Sequence, residues 1–107
     1  MKPGNFHDPP ELEVGPYEET IPSAAITLAV PHKGELTFYL VASVPEDTDW
    51  EDVEGIMYEL GGEFTGEAGE LQDRHFGRVV LRPAEEGIFA VIKQAGSYAV
   101  YLAAAEQ

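Results

Sequence analysis

The chain has 107 residues, 20 of them acidic against six basic, with a formal charge of −14 and no cysteine. Such a length holds one domain with a real core, not two, and 44% hydrophobic residues exclude a disordered chain. The missing cysteines exclude disulfides, thiol catalysis and thiolate metal sites. The negative field disfavours nucleic-acid phosphate and anionic membrane as partners and favours basic proteins.

Residues 1–22 contain Pro3, Pro9, Pro10, Pro16 and Pro22, which rule out a helix and predict a proline-rich extended arm. No apolar h-region marks a secretory leader, and no apolar run approaches the roughly 20 residues of a membrane span. A cytoplasmic protein is expected. The GPYEE string at 15–19 resembles a short motif of bacterial effector-binding domains of the gyrase-inhibitor-like type, which hold cationic drugs with a buried Glu. The resemblance covers five residues and here precedes prolines where that family has a helix, so no site residue is taken from it.

Residues 23–107 are expected to form a single α+β domain. AAITLAV at 24–30 and LTFYLVASV at 36–44 read as two strands joined by the PHKGE turn. On the second strand Leu36, Phe38, Leu40, Ala42 and Val44 alternate onto one face, and Thr37, Tyr39, Val41 and Ser43 onto the other. The stretch 46–62, EDTDWEDVEGIMYELGG, reads as the one convincing helix. Thr48 and Glu51 have capping-box spacing. Trp50, Val53, Ile56, Met57 and Leu60 make an apolar stripe, with Val53 and Leu60 expected in the core. Gly61-Gly62 supplies the stop. A short strand is expected around 63–65, then a loop to about Gly77.

The strands GRVVLRP, GIFAVIK and SYAVYLAA follow. Reading Gln94-Ala95-Gly96 as a three-residue hairpin loop sets Lys93 opposite Ser97 and Phe89 beside Tyr101. The fold class is therefore α+β: an antiparallel sheet of five to six strands, order ββα(β)βββ, with one amphipathic helix packed on one face. Profilin-like and roadblock-like sandwiches are similar in arrangement, an analogy from topology alone.

No catalytic constellation is legible. His7, His32 and His75 are far apart and lack helical metal-ligand spacing. Ser23, Ser43 and Ser97 sit in no nucleophile elbow, and the glycines at 61–69 lack the Lys-Ser/Thr end of a phosphate loop. The chain is thus expected to be no enzyme and to need no metal or cofactor. In that register the sheet face away from the helix carries Tyr39, Val41, Phe89, Val91 and Tyr101, edged by Arg78 and Arg82. Aromatics and arginines around an apolar centre suit an association surface.

The expected function is a non-catalytic acidic interaction protein of inhibitor, immunity or adaptor type. It would bind a basic protein partner and self-associate as a homodimer through that sheet face, with neither nucleic acid nor membrane as partner. The alternatives are a small-ligand or sensor domain with a pocket near Trp50, Met57, Tyr58 and Tyr98, or an acidic mimic of nucleic acid.

The charge generates a first prediction. Self-repulsion at −14 weakens as the screening length falls from about 30 Å at 0.01 M salt to about 8 Å at 0.15 M. The melting temperature should rise across that range in a non-binding salt. A flat or falling curve would show that the charges are compensated locally.

Overall fold

A computed structural model of the chain describes residues 24–94 and 96–104. The proline-rich stretch at 1–22, GPYEE included, lies outside them. Two strands, β1 (Ala25–Val30) and β2 (Gly34–Pro45), precede one helix, α1 (Trp50–Gly61). Four strands follow: β3 (Gly69–Asp73), β4 (Gly77–Ala84), β5 (Gly87–Gln94) and β6 (Ser97–Ala104). They form one antiparallel sheet ordered β1-β2-β6-β5-β4-β3, so the fold is α+β with element order ββαββββ. No described helix is long and apolar enough to cross a membrane.

The sheet curls until its two edges, β1 and β3, touch. Its concave side is thereby filled by its own side chains: Ile26, Leu28 and Phe38 meet Val79, Ala90, Ile92 and Tyr101. On the convex side α1 lays Val53 and Met57 over Val80, Phe89, Val91, Tyr98 and Val100. There are two cores, one on each face of the central strands. A β-bulge bends its strand and increases the local twist. Here β2 slips register against β6 between Leu40 and Ala42. Leu36 and Leu40 pack into the concave core, whereas Ala42 and Val44 pack under the helix. The single face expected for Leu36 through Val44 is therefore divided by a bulge at Val41.

The last hairpin corrects the expected register. Gln94 pairs with Ser97, Val91 with Val100, Ala90 with Tyr101 and Phe89 with Leu102. The connection is two residues, 95 and 96, not three, and the pairing of the two strands is shifted by one residue relative to the expectation. Because the side-chain period in a strand is two, that shift turns Tyr101 to the face opposite Phe89. A three-residue connection does occur, but between β3 and β4, where Asp73 pairs with Gly77. Asp73 closes it by accepting from the His75 and Phe76 backbone N–H groups at 2.8 and 3.0 Å. The expected loop to Gly77 thus contains an edge strand, and the expected strand at 63–65 is only a bridge between Phe64 and Ala84.

The helix ends as expected at a left-handed glycine, Gly62 (φ 83°). Its start differs: Asp49 is the N-cap, without a side-chain cap bond, so the Thr48–Glu51 box is not made. Its buried face runs through Val53, Met57 and Gly61, with Leu60 45% exposed. Gly61 is the reason. Its α-carbon lies so close to Phe89 that a β-carbon would overlap the ring, and this contact rotates the stripe away from Leu60.

Two tests follow from these placements. Met57→Ala should cost about 2–5 kcal/mol as a buried large-to-small change, whereas Leu60→Ala should cost under about 1 kcal/mol in denaturant titration. Tyr101 is fully buried in the concave core, its hydroxyl without a hydrogen-bond partner, and burial pushes its phenol pKa up. Its unfolded form therefore ionises first, so its contribution to stability is intact below about pH 10 and is lost as pH rises beyond. Tyr101→Phe should leave neutral-pH stability equal or higher and should soften the alkaline decline. A loss of more than about 1 kcal/mol at neutral pH would mean the hydroxyl is satisfied.

Candidate functional site

Three surfaces carry chemistry, and the sequence-expected residues are distributed among them differently from expectation. Tyr39 and Val41 are indeed exposed, at 59% and 38%. Phe89 and Val91 are buried beneath the helix and Tyr101 is buried in the concave core. These five residues do not form one surface. The one-residue register shift accounts for Phe89 and Tyr101 parting, and the curl accounts for the concave face being closed. The pocket expected near Trp50, Met57, Tyr58 and Tyr98 is filled: Met57 and Tyr98 are buried, and the Trp50 ring stands edge-on to Tyr98 with centroids 6.1 Å apart.

Arg78 and Arg82 do share the convex side of β4 with Val80, as two-residue periodicity requires, but both engage the chain itself. Arg78 Nε lies 3.7 Å from Glu70 of β3. Arg82 is held much more firmly. Its Nη1 donates to Glu54 Oε2 at 2.8 Å, its Nε donates to the Gly66 carbonyl at 3.1 Å, and its guanidinium lies 4.0 Å over the Phe64 ring. The same Glu54 oxygen accepts from Trp50 Nε1 at 3.1 Å. Helical geometry places Trp50 and Glu54 one turn apart on the same side of α1, so one carboxylate serves both the helix and the sheet. Arg82 is thus a structural fastener joining helix, post-helix loop and β4.

The second surface is the outer side of α1 with its flanks. Residues 46–63 contain eight carboxylates and no Lys, Arg or His. All but Glu54 of them are exposed, and Tyr58 (52%) and Leu60 (45%) stand exposed among them. The acidic residues were visible in the sequence. The two apolar anchors were not, because Leu60 reads as core until Gly61 sets the helix rotation.

The third surface is an open cleft of about 620 Å³ where the curled sheet ends. Leu36, Ile88 and Ala103 line its inner part and Thr65 and Pro83 one side, while His32 and Lys33 of the β1–β2 turn stand at its rim. Leu36, Ile88 and Ala103 belong to the concave core, so the cleft is the exposed end of that apolar interior. Among the described residues, no three His, Asp or Glu side chains gather closely enough to hold a metal ion.

No protein-family model matches the chain, and no curated protein or solved structure matches it either.

The assignment of Arg82 to structure has a measurable consequence. Arg82→Ala should lower stability by about 1–3 kcal/mol, because it removes a charge-assisted bond and strands the partly buried Glu54. Arg82→Lys should recover little of this, since an ammonium has no planar fork to serve Glu54 and Gly66 together. An arginine free for recognition would instead tolerate both changes within about 0.5 kcal/mol.

Proposed function

We propose that the chain is a non-catalytic acidic interaction protein that docks a basic protein partner on the outer side of α1. The observation that carries this reading is the placement of exposed Tyr58 within a run of exposed carboxylates free of any cation, with exposed Leu60 on the opposite flank of the helix. Apolar anchors supply contact energy at an interface, and surrounding charge supplies orientation and encounter rate. The arginines on the convex side of β4 cannot neutralise that patch fully, since Arg78 meets Glu70 and Arg82 meets the inward-facing Glu54. A strongly acidic patch of this kind raises association rates with basic surfaces and makes them fall with ionic strength. What remains of the expected homodimer surface is Tyr39 and Val41, since Phe89, Val91 and Tyr101 are interior.

The test is capture from the native host at about 0.05 M salt and again at about 0.3 M, using wild type, Tyr58→Ala and the charge-reversed triple Glu51→Lys, Asp52→Lys, Glu59→Lys. A basic protein should be retained by wild type at low salt and released at high salt. Its affinity should fall about tenfold or more in Tyr58→Ala, and it should be lost in the triple. Retention by the triple would place the interface elsewhere. A captured nucleic-acid-binding enzyme that a DNA or RNA duplex displaces would mark the chain as a mimic of nucleic acid.

A further inference from the structure

The cleft at the end of the curled sheet stands apart from the acidic helix side, and its chemistry is of the opposite sign. We propose that it binds a small amphipathic monocarboxylate, the tail lying against Leu36, Ile88 and Ala103 and the carboxylate held at the rim by Lys33 and His32. Its volume of about 620 Å³ falls within the roughly 300–1,000 Å³ of ligand pockets, which are mainly apolar with a few polar groups that fix orientation.

Charge decides the class of ligand. The chain has 20 acidic residues and six basic ones, yet among the described residues no acidic side chain lines this cleft, and the two ionisable ones that do are Lys33 and His32. A cationic ligand would find no counter-charge there. A neutral apolar ligand would leave Lys33 without a role, whereas a carboxylate receives a charge-assisted bond from it. The long-range field of the −14 chain opposes an anion, but at 0.15 M salt that field is screened over about 8 Å and the adjacent ammonium dominates.

The rim turn supplies a second, independent observation. The Lys33 backbone N–H bonds the Val30 carbonyl at 3.0 Å, closing a four-residue turn with Pro31 second and His32 third. His32 has φ 66° and is the one non-glycine residue with positive φ among the described residues. Glycine is the usual occupant of that position in turns led by proline, because a β-carbon is disfavoured in the left-handed region. Histidine is one of the non-glycine residues that more often adopt positive φ, and this turn sets it at the mouth of the apolar cleft beside Lys33.

The full chain at neutral pH and 0.15 M salt should be titrated with octanoate, octan-1-ol and octylamine, followed by calorimetry and by backbone amide shifts. Octanoate should bind about tenfold or more tightly than the alcohol or the amine, with shifts at Lys33, Gly87 and Ala103. Lys33→Ala should weaken octanoate binding by roughly 10- to 100-fold, the loss of a charge-assisted bond. His32→Gly should also weaken it, while the melting temperature holds or rises by up to about 4–8 °C as the strained position relaxes. That divergence separates a ligand role from a structural one. Octylamine binding as tightly as octanoate, equal binding of the alcohol, or no binding of any of the three would overturn the proposal. So would octanoate affinity unchanged in both variants.

Discussion

Strands β5 and β6 bury side chains on both faces, and this constraint places every other element. Phe89, Val91, Tyr98 and Val100 need cover on one side, and Ala90, Ile92, Ala99 and Tyr101 need it on the other. A single 12-residue helix can shield only one of those faces. The opposite face is closed by curling the sheet until β1 brings Ile26, Leu28 and Val30 over it. The bulge in β2 lets one strand serve the concave core through Leu40 and the helix-covered core through Val44. A helix, a bulge and an otherwise unassuming edge strand are consequences of one apolar hairpin.

The helix is fixed on the convex face by shape at one end and by charge along its flank. Gly61 admits Phe89 where any larger residue would hold the helix off. Glu54 joins Trp50 on the same helix to Arg82 on β4, and Arg82 continues to Gly66 and Phe64. Such a network is worth less than the apolar burial around it. It adds direction, since a planar guanidinium accepts only one arrangement of carboxylate, carbonyl and ring.

The consequence for function is a division of chemistry across the molecule. Acidic residues gather on the solvent side of α1, where the proposed basic partner would dock against Tyr58. The end of the curl exposes a patch of the concave core with Lys33 and His32 at its edge. These two surfaces share no residue, so occupancy of one need not exclude the other. Both arise where the cores stop: one where the helix turns its polar side to water, the other where the sheet runs out of strand to cover its own interior.

The α+β class, and the type and order of every element except β3, are legible in the sequence. Those features rest on local signals: the 3.6-residue stripe in α1, β-branched and aromatic runs in β1, β2 and β4–β6, and the glycine stop at Gly62. The charge and the acidic run at 46–63 were equally plain. β3 escaped notice because GELQD is an edge strand with little apolar content, stabilised by pairing with β4 and by the Asp73 turn. Faces and register, by contrast, depend on packing between elements. IFAVI in β5 and YAVYLA in β6 are apolar at successive positions, so alternation cannot show which residues look toward the helix and which into the curl. A connection one residue shorter sets Tyr101 in the interior, on the face opposite Phe89. Likewise, the rotation of α1 rests on Gly61 meeting Phe89, a contact across 28 residues of chain that no local pattern announces. The cleft at His32 and Lys33 has the same origin: its lining comes from separate strands and loops, which only the closed sheet brings together.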